Sequence, residues 1–148
     1  VILRTAWVYS PFGRNFVKTM LRLAESRDSL SVVCDQQGNP TSALDIADAV
    51  IRVADHLAAT PDFAAYGVYH LAGTGDTNWS GFARAIFAES ARHGGPVAEV
   101  ADIATSDYPT KAARPANSRL STARFRDGFG WSAPDWQTSL RDVVARLS

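Results

Sequence analysis

Cysteine occurs only once in the 148 residues, at Cys34. A lone thiol excludes an intrachain disulfide and leaves too few cysteines for a cysteine-rich zinc site, which favours a reducing compartment and a cytoplasmic address. Excess charge of either sign is missing as well, because 15 Lys and Arg balance 15 Asp and Glu. No global field therefore draws nucleic acid or an anionic membrane. No apolar run approaches the roughly 20 residues needed to span a bilayer, since VILRTAWVY is already broken by Arg4. Nothing reads as a signal peptide. An initial methionine is absent too. VILRT opens inside a strand-like run, so residues upstream of Val1 are expected.

The remaining composition, 46% hydrophobic and 20% charged, is that of a globular chain long enough for one sizeable core. Residues 1 to 9 concentrate β-branched and aromatic residues in the pattern of a strand covered on both faces, which points to an α/β layer. On a regular strand Trp7 and Tyr9 share one side. The Pro11 and Gly13 turn follows at once, and in open α/β sheets ligands sit beyond the carboxyl ends of strands. The pair can therefore wall a crevice as well as fill a core.

Asn15 is placed to cap a helix over FVKTMLRLAESR, whose Phe16, Val17, Met20, Leu23 and Ala24 recur at helical spacing. LSVVC (30 to 34) reads as a short strand, and DQQGNPT as a turn-rich loop with Gly38 and Pro40 as breakers. Ser42 and Asp45 have capping-box spacing ahead of a helix with Ile46, Ala47, Val50, Ile51, Ala54 and Leu57 on one face. GVYHLAG (67 to 73) reads as a buried strand. Trp79, Phe82, Ala83, Ile86 and Phe87 form the stripe of a third helix that HGGP ends. VAEVA (97 to 101) suggests a short strand and 102 to 118 a loop. Ser121 can cap a short helix carrying Phe125, and Trp136, Leu140, Val143, Val144 and Leu147 mark an amphipathic terminal helix.

The stretch AGTGDTNW lies between a strand and a helix, where a dinucleotide fingerprint would sit. Asn78 replaces its third glycine and no acidic residue ends a following strand, so a tight strand-to-helix turn is the better reading. His56, His70 and His93 have no short metal-ligand spacing, and no G-x-S-x-G elbow anchors a hydrolase triad. Lys111, Arg114 and Arg119 gather in YPTKAARPANSR, either as a solvated loop or as donors to a diphosphate or carboxylate.

Four stretches taken in order, VILRTAWVYSPFGRNFVKTMLRLA, DQQGNPTSALDIADAV, GVYHLAGTGDTNWSGFARAIF and RPANSRLSTARF followed by FGWSAPDWQTSL, resemble the C-terminal half of the dTDP-4-dehydrorhamnose reductases, extended short-chain dehydrogenase/reductases. The resemblance implies an α/β fold, namely late Rossmann strands plus a small α/β substrate domain. Residues 1–10 and about 67–95 would pack on the Rossmann sheet of a preceding half, and about 11–40 and 96–135 would form the substrate-binding part. It also implies reduction of dTDP-4-dehydro-L-rhamnose at C4 with NADPH or NADH, and it leaves room for a homodimer. Trp7 matches the family tryptophan that contacts the sugar. Asn15 matches a region approaching the nucleotide sugar, with its capping role equally open, and Arg114 matches an Arg-Pro motif near basic substrate contacts.

The glycine-rich phosphate loop and the Tyr-x-x-x-Lys pair of such enzymes would lie upstream of VILRT, and Tyr108 and Lys111 are only three apart. No catalytic, cofactor or metal residue is therefore assigned within these residues. The alternative is a non-catalytic binding or regulatory member, similar to the methionine adenosyltransferase regulatory β subunit, which an upstream sequence lacking that pair would favour.

Overall fold

A computed structural model describes residues 1–108 and 112–148. The opening run does not form one strand. Strand β1 (Ile2–Arg4) and strand β2 (Val8–Tyr9) are separated at Trp7, whose φ of 52° lies in the left-handed region that side chains with a Cβ rarely adopt.

A turn then leads into helix α1 (Phe16–Ala24), and Asn15 works on both sides of that junction. Its Oδ1 accepts from the Lys18 amide at 3.3 Å, while its Nδ2 donates to Ser10 O at 2.7 Å and Phe12 O at 3.3 Å. Replacing it by alanine removes the cap and the turn clip together. Asn15→Ala should cost about 1 kcal/mol and lower the melting temperature by roughly 2–4 °C, and an unchanged thermal melt would show the cap to be idle.

Strand β3 (Ser29–Val33) follows, then β4 (Gln37–Gly38) and β5 (Thr41–Ser42) within the stretch expected to be only a loop. Helix α2 (Ala43–Ala59), strand β6 (Val68–His70), strand β7 (Thr77–Asn78), helix α3 (Trp79–Arg92) and strand β8 (Glu99–Ile103) complete the middle of the chain. The region expected as a loop from 102 thus begins with the end of β8 and a 3-10 turn at Thr105–Asp107. Helix α4 (Ala123–Phe129) starts after Thr122 rather than Ser121, and helix α5 (Trp136–Ala145) is capped by Asp135, which accepts from Gln137 N at 2.9 Å.

Among the described residues the strands associate as four pairs. Three are parallel, β1 with β6, β2 with β5 and β3 with β8, and one is antiparallel, β4 with β7. Parallel neighbours need long crossovers, and helices supply them here: α2 lies between β1 and β6 in sequence. The core has two parts. Tyr9, Val17, Phe82, Ile86, Trp136 and Leu140 belong to the first, which joins α1, α3, α5 and the β3–β8 pair. Ala49, Val53, Tyr69, Leu71, Phe125 and Phe129 form the second, between α2, β6 and α4.

Helix α2 departs from its expected face. Ala49 and Val53 are buried with Ile46 and Leu57 beside them, whereas Val50 and Ile51 are 52% and 59% exposed and Ala47 and Ala54 face outward with them. Apolar residues occur nearly all round this helix, so periodicity alone does not choose the side that meets the core. The capping box is also only half made: Ser42 Oγ accepts from Leu44 N at 3.2 Å, but the Asp45 carboxylate turns inward and accepts from Ser139 Oγ at 2.7 Å. That bond joins α2 to α5.

Burial raises the Asp45 carboxyl above the ordinary carboxylate value despite the Ser139 bond, and Asp48 and Asp142 add to the rise. The fold therefore holds this proton more tightly than the unfolded chain does. Stability falls as pH rises from the ordinary value through the elevated one and is flat above it. Asp45→Asn keeps an acceptor for Ser139 and should remove that slope. Melting temperatures of both proteins from acid to neutral pH test this, and parallel curves would refute the linkage. No helix among the described residues is long and apolar enough to cross a membrane.

Candidate functional site: an indole pair beside an arginine-edged groove

Trp7 and Trp79 come from segments far apart in sequence and stack face to face, with ring centroids 3.6 Å apart and planes inclined by 12°. Phe16 adds a tilted ring 4.7 Å from Trp79. Stacking of this kind combines large apolar area with fixed geometry. Tyr9 does not join the group. It is buried in the first core, its hydroxyl donates to Trp136 O at 3.0 Å, and burial pushes its phenol well above the usual range. Trp7, left-handed and outside β2, is not related to Tyr9 by the alternation of a regular strand.

A groove of about 680 Å³ runs beside the stack, and Phe16, Gln36, Trp79, Tyr108, Arg27 and Arg114 are among its lining residues, with Leu30 and Val32 among the apolar ones. It is Trp79 that lines this groove, and Trp7 backs Trp79. The structure thus brings Arg114 and the indole pair to one place. Asn15 is elsewhere: it borders a second cavity of about 540 Å³ with Arg14, Lys18, Arg22 and Leu147. Arg119 pairs with Asp76 at 3.0 Å and also bonds Asn117 Oδ1, while Lys111 lies outside the described residues.

Each indole N–H has an acceptor. Trp7 Nε1 donates to Ser118 Oγ at 3.2 Å, and the Ser118 hydroxyl donates onward to Gln37 O at 3.1 Å. Trp79 Nε1 donates to Gln36 Oε1 at 3.2 Å, and Gln36 Nε2 donates to Thr105 Oγ1 at 3.0 Å. Thr105 gives its hydroxyl to Asp35 at 2.6 Å and its amide to both carboxylate oxygens. Those bonds, the hydroxyl first, hold the Asp35 carboxyl below the ordinary range. Gly38 completes the seat, because a Cβ there would overlap the Trp7 ring.

The family resemblance brings a dinucleotide cofactor into question, and the Gly73–Gly75 turn is the place to ask whether these residues fit one. Pyrophosphate binding needs free amides and glycine-only space at a helix start. The Gly73 amide donates to Thr41 Oγ1 at 3.3 Å and the Thr74 amide to Pro134 O at 2.9 Å. Pro40 O fills the space where a Gly73 side chain would project, and Asn78 Oδ1 caps α3 through Gly81 N at 2.7 Å. The turn is packed against its own chain and does not fit the cofactor.

Sequence reasoning missed Trp79, Gln36 and Ser118. Trp79 reads as core, and nothing local marks the other two. Gly38 was a usable signal, since a glycine between a strand and a capped helix also permits close approach of another group.

Solved structures share this fold. A dTDP-4-dehydrorhamnose reductase from Clostridium acetobutylicum superposes with a TM-score of 0.87 at 35% identity, over 99% of this chain and 48% of the other. One from Bacillus anthracis, solved in complex with NADP, superposes with a TM-score of 0.83 at 32% identity, over 99% and 48%. The fold is thus that of a mixed α/β half of a Rossmann-type reductase. Residues 1–148 match the RmlD substrate binding domain, and the chain belongs to that family. It is also 46% identical to a dTDP-4-dehydrorhamnose reductase of Sinorhizobium fredii over 99% of its own length and 49% of the relative's. The chain spans about half the length of the curated relatives it matches.

Proposed function

We propose that this chain is the nucleotide-sugar-binding half of a cytoplasmic reductase that converts dTDP-4-dehydro-L-rhamnose to dTDP-L-rhamnose with NADPH or NADH. The observation that carries the reading is the match of the whole chain to a substrate-binding family whose relatives are reductases of that name. The groove suits such a ligand: aromatic rings offer a flat apolar wall to a deoxysugar, and Arg114 offers a guanidinium to a diphosphate. Trp7 supports the wall at the sugar end, and Asn15 fixes the turn that follows the aromatic segment. Residues about 11–40 and 96–135 carry most of the substrate contacts, and Trp79, at the start of α3, joins them in lining the groove.

In this reading residues 1–10 and about 67–95 enter through β1 and β6, which join the Rossmann sheet of a preceding half, and that half holds the cofactor and the Tyr-x-x-x-Lys pair. A nicotinamide bound by that half would supply the hydride that reduces the C4 carbonyl. The contribution of this chain is to bind the sugar nucleotide, orient it and exclude water. The test is consumption of NADPH by the full-length protein given dTDP-4-dehydro-L-rhamnose, with dTDP-L-rhamnose identified as product. Turnover supports the enzyme, whereas tight binding of the sugar nucleotide without turnover would favour a non-catalytic member.

A further inference from the structure

We propose that Ser118 and Gln36 are positioning residues, each holding one indole N–H of the Trp7–Trp79 pair so that the two rings stand as one preset wall of the groove. The inference rests on reading the groove as the sugar-nucleotide site. Hydrogen-bond direction makes the case. Asp35 is held as a carboxylate and can only accept, so the Thr105 hydroxyl donates to it and must accept from Gln36 Nε2. The amide is then oriented with Oε1 toward Trp79, where the indole N–H meets it. Gln36 is buried, so its rotamer is set from all sides.

On the other side, the Ser118 hydroxyl donates to Gln37 O and turns a lone pair toward Trp7 Nε1. Ser118 is itself fixed, because its amide also donates to Gln37 O at 2.9 Å and Gln37 N donates to Ala116 O at 2.8 Å. Consecutive residues, Gln36 and Gln37, thus anchor the two rings through separate routes. Gly38, next in sequence, leaves room for the Trp7 ring. The left-handed backbone at Trp7 is an uncommon conformation for this residue type, and such outliers persist where the surroundings over-determine them. A wall ordered before the ligand arrives spares the ordering cost on binding.

The test uses the full-length protein with Ser118→Ala, Ser118→Thr and Gln36→Met. The stacked indoles should give an exciton couplet in circular dichroism. Ser118→Ala and Gln36→Met should reduce it by half or more and raise KM for the sugar nucleotide roughly threefold to tenfold, the worth of one hydrogen bond, with kcat within about twofold. Ser118→Thr, which keeps the hydroxyl, should retain both signals. Where the wild type turns over normally, a couplet and KM that survive Ser118→Ala and Gln36→Met overturn the positioning role, as does an equal loss in Ser118→Thr. A wild type with no affinity for dTDP-4-dehydro-L-rhamnose instead sinks the reading of the groove, and the couplet still reports whether the two residues hold the rings.

Discussion

Phe82→Ala should destabilise the full-length protein by about 3–5 kcal/mol, the range for losing a large core aromatic. Phe82 is 0% exposed and stands where three other rings meet: Tyr9 at 5.3 Å, Phe16 at 5.5 Å and Trp136 at 5.6 Å between centroids. Those rings belong to or adjoin β2, α1 and α5, so one side chain on α3 joins four elements. Collapse around the vacated space is restricted, because the Tyr9 hydroxyl is tied to Trp136 O and α5 is tied to α2 through Ser139 and Asp45. A cavity that cannot close carries both the lost transfer energy and the lost contacts. Thermal and urea melts measure the effect. The melting temperature should drop by roughly 6–20 °C, Phe82→Leu should lie between, and a loss below about 1.5 kcal/mol would mean that the surrounding helices close the gap.

The same core explains which parts of the fold the sequence announced. Helices α1, α3 and α5 each have one apolar side, and their buried apolar residues, Val17 and Met20 on α1, Phe82, Ala83, Ile86 and Phe87 on α3, and Leu140, Val143 and Val144 on α5, lie where the helical period places them. Helix α2 is apolar on two sides, and the choice of Ala49 and Val53 over Val50 and Ile51 was made by Tyr69, Phe125 and Phe129, which arrive later in the chain. No local pattern carries that information. The break at Trp7 is similar: no glycine or proline marks it, and the contacts that accompany it come from Gly38, Trp79 and Ser118. The turn that follows Trp7 was legible from Pro11 and Gly13, but the stacking partner of Trp7 and both acceptors were not, since all are tertiary contacts between polar or aromatic residues with ordinary local explanations.

Trp7→Ala in the full-length protein should reduce kcat/KM for the sugar nucleotide about tenfold to a hundredfold, corresponding to roughly 1–3 kcal/mol of transition-state stabilisation. The ring does more than add area. It supports Trp79 from behind at 3.6 Å, so its removal frees the indole that lines the groove to tilt into the vacated space. Water then reaches the sugar side, and the preset wall is lost. Cofactor affinity should be unchanged, because the residues here that most resemble a cofactor turn, Gly73 to Gly75, are packed against Pro40 and Pro134 instead. Trp7→Phe keeps a ring but not the N–H that Ser118 accepts, and its loss should be about threefold to tenfold, as for one hydrogen bond. A purely structural role predicts a different pattern. The half-buried ring would then leave a cavity, and the melting temperature would fall while kcat/KM per folded molecule stayed normal. Measuring kcat/KM, KM for NADPH and the melting temperature on the same preparations separates these outcomes, and normal kinetics from a destabilised Trp7→Ala protein would remove Trp7 from the substrate wall.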